Sequence, residues 1–362
     1  MNDEVFMKLA LKLAAKGRGY TSPNPMVGAV IVKKGRIIGQ GWHRCCGENH
    51  AEVNAIQSAM ENVSGSTMYV TLEPCCHSGK TPPCTDLIIR KKIKRVVIGT
   101  ADSNPLVSCK GINRMQAAGI EVKADVLQDE CRNLNEVFFH FMETGLPFVT
   151  VKYAQTLDGR IATATGQSQW ISSPASLKFA HQLRAEHDAI LVGIGTVLKD
   201  NPTLTVRMVR GRNPLRIVVD NCLAVTTEFN VMQDLSRTPT LIATTKSASD
   251  PAFRALAKAG AEMIRVRSDE NNHVNLKQLL QLLAARNISS VLIEGGAQII
   301  TSALKENLAN RLVTVIAPKI LGKGIEAVGD LNIRNLEKAK KLSVKSVAKK
   351  GTDVIMDCRV IP

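Results

Sequence analysis

Residues 71–84, TLEPCCHSGKTPPC, place three cysteines and a histidine within fourteen positions, and HAE at 50–52 precedes them. One imidazole and two thiolates hold zinc well. Three protein ligands leave the fourth tetrahedral position to water, which is the composition of a catalytic site, whereas a structural site closes with four. His50 and Glu52 are two apart and so do not share a helix face. Glu52 is therefore available to take a proton from an attacking water and to return protons to a departing group. That set of groups suits hydrolytic loss of ammonia from an amidine-like ring carbon.

H-x-E followed by P-C and a further cysteine is the pattern of zinc deaminases. The departure is the spacing, because eight residues separate Cys75 from Cys84 where two are usual. Two doublings of loop length cost roughly 1.2 kcal/mol of closure entropy, small beside the roughly 10–16 kcal/mol of structural zinc binding. Cys84 opens the helical pattern CTDLIIRKKI and is expected to gain thiolate character from the helix N-terminus. Cys76 and His77 compete for ligation. Adjacent side chains on extended chain point apart, which disfavours Cys75 and Cys76 on one ion; His77 is the stronger rival. Cys45 and Cys46 read as plain thiols. A zinc knuckle would use the same residue types, but Glu52 beside His50 favours catalysis.

These side chains need a scaffold, and the hydropathy pattern supplies one. Residues 2–16 read as a helix, 28–43 as a hairpin, 49–60 as a helix and 66–72 as a buried strand ending at Glu73. A helix from Cys84, a strand over 94–100, a helix stopped by Gly119 and a strand over 120–127 follow. Gly145 and Pro147 interrupt the patterned chain, so a boundary is expected there, giving domains 1–145 and 146–362. In the second, DAILVGIGTV, PLRIVVD, TPTLIATT, SSVLIEGG and RLVTVIAP read as buried strands, with helical stretches such as NLKQLLQLLAA between several of them. The fold class is α/β throughout.

Composition narrows the classes further. At 362 residues, 44% of them hydrophobic, the chain can bury two ordinary cores. No apolar run reaches membrane-spanning length and the start has no signal-peptide pattern, so a cytoplasmic address is expected. Seven of the nine cysteines precede residue 132, which argues for metal ligation over a disulfide framework. The net charge of +15 is uneven: residues 1–145 carry 18 basic and 14 acidic side chains, residues 146–362 carry 29 and 18. An anionic small molecule or a nucleic acid would suit that excess. Aromatics at 4% supply few stacking platforms, which counts against nucleic acid.

In the second half Gly193 and Gly195 form G-x-G, but Leu198 stands where a third glycine would fall, so a Rossmann reading fails. A buried strand ending in Glu294-Gly295-Gly296 before a helix could present backbone N–H groups to a cofactor phosphate, or be a tight turn and nothing more.

The runs TSPNPMVGAVIV, GWH, HAEVNA, TLEPCCHSGKTPPC and DSNPLVSCKG, followed by KYAQTLDGRIA, GQSQWI, LRAEHDAILVGIGTVLKDNPTLTVR, IEGG and APKILG, closely resemble the bifunctional riboflavin-biosynthesis deaminase-reductases over nearly the whole chain. The resemblance implies a cytidine-deaminase-like domain acting on 2,5-diamino-6-(5-phosphoribosylamino)pyrimidin-4(3H)-one, then a dihydrofolate-reductase-like domain that uses NADPH to reduce the ribosyl side chain to ribityl. It assigns one zinc per chain to His50, Cys75 and Cys84, catalysis to Glu52, and pocket-shaping to the 76–83 loop, with His77 and Lys80 as loop contacts. Asn24 becomes a candidate for the pyrimidine edge. It assigns Ala154, Trp170, Thr196, Asp200, Asn221 and Gly296 to the cofactor. Ser168, Arg184, Leu204, Arg207 and Glu294 go to the substrate, the two arginines suiting a ribose phosphate. It also implies a homo-oligomer, no membrane and no nucleic-acid partner. Ser103, Cys109 and Leu177 depart from the family's usual Pro, Gly and Arg; if Cys109 replaces a glycine at positive φ, its loop must bend differently.

Overall fold

The structure, a computed structural model, describes residues 2–76, 82–103 and 109–361. It divides into two compact units, Met1–Gly145 and Leu146–Pro362.

The first unit runs α1 (Asp3–Ala14), β1 (Gly28–Lys33), β2 (Arg36–Trp42), α2 (Ala51–Gln57), β3 (Thr67–Val70), α3 (Cys84–Arg90), β4 (Arg95–Ile98), α4 (Lys110–Ala117), β5 (Glu121–Lys123), α5 (Gln128–Leu134) and α6 (Glu136–Thr144). Its sheet has the order β2-β1-β3-β4-β5. The β1–β2 and β1–β3 pairs are antiparallel; β3–β4 and β4–β5 are parallel. Apolar residues alternate along the strands and so feed two cores. Ile31, Met68 and Val96 meet Ala51, Ala55, Ile88 and Met115 of α2–α4 on one face. Val30, Tyr69 and Val97 meet Met7, Ala10 and Leu13 of α1 on the other. Asn2 caps α1 by accepting the Glu4 N–H. Asp3, in the first turn, accepts from Arg95, Lys123 and the Tyr69 hydroxyl, so that Arg95 holds its carboxyl far below the usual range.

The strand expected over 120–127 is confined to β5. Asp125 and Leu127 take left-handed backbone (φ 62° and 57°), which ends pairing and turns the chain into α5. Neither α5 nor α6 was evident from periodicity.

The second unit runs β6 (Phe148–Thr156), β7 (Arg160–Thr163), α7 (Pro174–Glu186), β8 (Ala189–Gly193), α8 (Ile194–Asp200), β9 (Leu215–Val219), β10 (Thr240–Thr244), α9 (Asp250–Lys258), β11 (Glu262–Arg265), α10 (Leu276–Ala284), β12 (Ser290–Ile293), α11 (Ala297–Lys305), β13 (Arg311–Ala317), β14 (Gly324–Glu326), β15 (Leu342–Lys350) and β16 (Asp353–Val360). The main sheet has the order β11-β10-β9-β8-β12-β6-β13-β16-β15. It is parallel from β11 to β13 and antiparallel through β16 and β15. One apolar cluster fills each face. DAILVGIGTV, expected as one strand, is a strand only to Gly193. From Ile194 the chain is helical, and Val197 turns into the core while Leu198 is half exposed, a helical division of one apolar run.

Two candidate active sites

In the first unit two helix starts and a strand end converge. His50 precedes α2 in extended backbone, and Cys84 is the first residue of α3. α2 can press against β2 because Gly41 has no side chain: a Cβ there would lie 2.3 Å from Ala55 N and 2.5 Å from Ala51 O. The ligand atoms of His50, Cys75 and Cys84 lie within 4.8 Å of one another. His50 Nδ1 is 3.6 Å from Cys75 Sγ and 3.3 Å from Cys84 Sγ. A tetrahedral zinc with ordinary Zn–S and Zn–N bonds separates sulfur from nitrogen by about 3.6 Å, so this donor set fits the ion. Cys76 is outside the group, and its carbonyl accepts from Arg114 instead. His77 and Lys80 lie outside the described residues.

Hydrogen bonding with Cys84, and then with His50, pulls the Cys75 thiol down to about 4, while the bond to Cys75 and burial push Cys84 up. The Cys84 N–H points at Cys75 Sγ, 3.4 Å away. That N–H at the start of α3 supports a thiolate on Cys75, and zinc ligation would deprotonate Cys84 as well. His50, bonded to Cys75, rises to about 8. Glu52 is 3% exposed, and burial pushes its carboxyl up.

Two further residues complete the surroundings. His43 is buried, with its ring 5.4 Å from that of His50; Nδ1 meets the Asn49 carbonyl at 3.1 Å and Nε2 meets the Asn24 amide at 3.2 Å. Asn24 is thus held toward the metal group. Glu73, read from sequence only as a strand end, accepts four backbone N–H groups, from Asp102 (3.2 Å), Cys109 (3.0 Å), Gly111 (2.9 Å) and Ile112 (3.2 Å). It ties the start of α4 to the segment carrying Cys75. Gly111 allows that approach, since a Cβ would lie 2.3 Å from Pro74 O. The signal available in the sequence was an acid at the buried end of a strand next to the ligands. Cys109 itself takes left-handed backbone at φ 57°, so a side chain is carried where a glycine would be relaxed.

In the second unit a cavity of about 1130 Å³ opens beside α7, α8 and α11. It gathers Ala154, Trp170, Thr196, Asp200, Asn221 and Gly296, and also Ser168, Arg184, Leu204, Arg207 and Glu294. Gly295 and Gly296 have φ of 130° and 80° at the turn before α11, and Thr196 Oγ1 lies 3.1 Å from where a Cβ on Gly295 would sit. Ser168 donates to Asp200 at 2.9 Å. Asn221 Oδ1 accepts the Val274 N–H at 3.0 Å.

The polar residues of the cavity pair with one another. Glu294 accepts from Lys152 Nζ (3.0 Å) and Arg184 Nε (2.7 Å). Burial pushes its carboxyl up, but Arg184 and Lys152 overcome that and hold it at about 2. Lys152 went unnoticed in the sequence, where it is one lysine in a strand. Arg184 also donates to the Thr205 carbonyl, and Arg207 to the hydroxyls of Thr203 and Thr205. Beneath this segment Arg216, 1% exposed, donates only to backbone carbonyls: those of Thr203, Asn230, Gln233 and Thr238. Through the Thr203 carbonyl this buried cation ties down the start of the irregular segment that carries Leu204, left-handed at φ 55°, and Arg207.

Fold and site together define a zinc-type pyrimidine deaminase joined to a dihydrofolate-reductase-like reductase. Residues 1–100 match the family model described as the cytidine and deoxycytidylate deaminase zinc-binding region, and residues 147–356 match the RibD C-terminal domain. The chain belongs to the RibD family of bifunctional riboflavin-biosynthesis deaminase-reductases. It is 46% identical over 355 residues to the riboflavin biosynthesis protein RibD of Aquifex aeolicus (98% of this chain, 97% of the relative), and 39% identical over 374 residues to that of Escherichia coli (98% and 99%). A solved Thermotoga maritima structure, described as a diaminohydroxyphosphoribosylaminopyrimidine deaminase/5-amino-6-(5-phosphoribosylamino)uracil reductase, superposes with a TM-score of 0.87 at 39% identity, covering 99% of both chains. Acinetobacter baumannii RibD superposes with a TM-score of 0.90 at 32% identity, again with 99% coverage of each. Among the described residues no helix is long and apolar enough to cross a membrane.

Proposed function

We propose that residues 1–145 deaminate 2,5-diamino-6-(5-phosphoribosylamino)pyrimidin-4(3H)-one and that residues 146–362 reduce the ribosyl side chain of the product to ribityl. The observation that carries this reading is the convergence of one imidazole and two thiols at tetrahedral spacing with a buried glutamate near them.

His50, Cys75 and Cys84 hold the metal; zinc supplies the Lewis acidity that makes a water nucleophilic at neutral pH. Glu52 takes a proton from the attacking water and delivers protons to the ring nitrogen and the departing ammonia. Its burial supports this role, since a raised carboxyl pKa suits a group that must both accept and donate. Asn24, held by His43, is placed to bond the pyrimidine edge. In the second unit bound NADPH would supply the hydride for the opened sugar carbon, with the accompanying proton coming from solvent. The backbone N–H groups of the Gly295-Gly296 turn and the Thr196 hydroxyl would donate to its phosphates, and Ala154, Trp170, Asp200 and Asn221 would be further cofactor contacts. Asn221 is the weakest of these, because its side-chain oxygen already holds Val274. Ser168, Leu204 and Glu294 position the substrate, and Arg184 and Arg207 bind its phosphate.

The finer setting is a cytoplasmic homo-oligomer. No disulfide joins the described cysteines, which suits a reducing compartment. The edge strand β15 and its neighbour β16 leave Val344, Val347 and Val354 exposed, an apolar surface suited to a second copy of the chain.

Glu52→Gln tests the first half. It should retain about one zinc per chain and reductase activity on separately supplied deaminated substrate, while deamination falls by about 10²–10⁴-fold. A variant that still deaminates at the wild-type rate would remove Glu52 from the chemistry.

A further inference from the structure

α7 turns one face to the cavity, made by Leu177, Ala180, His181 and Arg184, positions spaced as neighbours on a helix. Leu177 and Ala180 have no donor, so the polar groups of that face are those of His181 and Arg184. His181 is 5% exposed, and its neighbours are Arg184 and Arg207, which lower its pKa, and Glu294 and the Thr205 backbone, which oppose them more weakly. The Arg207 N–H reaches His181 Nδ1 at 3.1 Å. A ring nitrogen that accepts carries no proton, so the neutral imidazole has its proton on Nε2 and is a donor there. Burial and the two arginines keep the ring pKa at about 4, which makes this neutral donor the form present near pH 7.

The two guanidinium groups face other demands. Arg184 already serves Glu294 and the Thr205 carbonyl, and Arg207 serves two threonine hydroxyls. Each guanidinium has five N–H groups, so these bonds engage only some of them. A phosphate monoester has three terminal oxygens, more than one partly engaged fork can cover well. A third cation in this corner would be repelled by the first two before any anion arrived. A neutral N–H avoids that cost and still donates.

We infer that His181 is a third donor to the phosphate of the reductase substrate, its Nε2–H completing the corner made by Arg184 and Arg207. The inference rests on the reading that those two arginines bind the phosphate. It makes His181 a specificity residue that separates phosphorylated from dephosphorylated substrate, in addition to setting the backbone position of Arg207.

The two roles can be separated by side-chain length. Asparagine places an amide near the position of Nδ1 and can accept the Arg207 N–H, but has nothing at Nε2; glutamine reaches the Nε2 position. With the full-length protein and separately supplied deaminated substrate, His181→Asn should raise the KM about tenfold with kcat within about twofold. His181→Gln should recover most of that loss. The dephosphorylated substrate should show no change in KM for either variant. Inorganic phosphate, as a competitive inhibitor, should also bind His181→Asn several-fold more weakly than the wild type. A wild-type KM and phosphate inhibition constant in His181→Asn, or equal rises for the two substrates, would overturn the inference. Arg207→Ala is the control. A raised KM there with an unchanged His181→Asn removes only His181 from the site, whereas an unchanged KM in Arg207→Ala removes the phosphate reading and the role of His181 with it.

Discussion

The metal group and the reductase cavity solve opposite problems with similarly buried polar residues. In the first unit the imidazole of His50 and the sulfurs of Cys75 and Cys84 are held at coordinating distance from one another. In the second, Glu294 is paired with both Lys152 and Arg184, which leaves the trio one positive charge in excess. Coordination demands a few residue types at fixed separations, so it is satisfied by short segments. A cavity of about 1130 Å³ draws its lining from many elements, each contributing one or two ordinary side chains. The first unit therefore depends on its ion, and the second depends on internal balance.

Removing zinc is the sharpest way to break that contrast. A chelator should abolish deamination while reduction of supplied deaminated substrate stays within about twofold, because no ligand of the second unit is involved. Parallel loss of both activities would mean that the two units are energetically coupled.

A smaller effect is expected from the balance itself. Lys152→Met leaves Glu294 with Arg184 alone and should destabilise the second unit by about 3 kcal/mol, read from denaturant unfolding, with zinc content unchanged. The Glu294 carboxyl is depressed on folding, so its contribution to stability is present above the unfolded carboxylate range and is lost as the pH falls from about 4 toward 2. In Lys152→Met the folded carboxyl is less depressed, so that loss should be smaller and should be complete at a higher pH. A variant as stable as the wild type at pH 7 would show that Lys152 does not compensate Glu294.

The smallest change concerns the segment tied down by Glu73. Cys109→Gly relieves a left-handed residue and should stabilise the first unit by about 1 kcal/mol, raising its unfolding midpoint without altering zinc content. A lowered midpoint would mean that the Cys109 side chain contributes more than its backbone costs.

The sequence carried the alternation of helices and strands in both units, the β1–β2 hairpin and the short segments on which His50, Glu52, Cys75 and Cys84 lie, since each depends on spacing within a short stretch. It misread Ile194–Val197 as strand. In a short apolar run the helical and extended readings bury the same residue types, and only the packing of Val197 against the sheet distinguishes them. The edge hairpin of β15 and β16 was likewise hidden, because β15 is exposed along its whole length and lacks the alternation that marks a half-buried strand.

Local order of residue types was enough to declare a zinc site, since the ligands' chemistry is written in the side chains themselves. What the chain alone could not declare was how these groups are partnered: that the Cys84 N–H reaches Cys75 Sγ, that Glu294 stays ionised between Lys152 and Arg184, and that a backbone N–H meets His181. Those outcomes depend on distances between segments far apart in sequence and on how completely water is excluded around them, and both are set only when the tertiary structure closes.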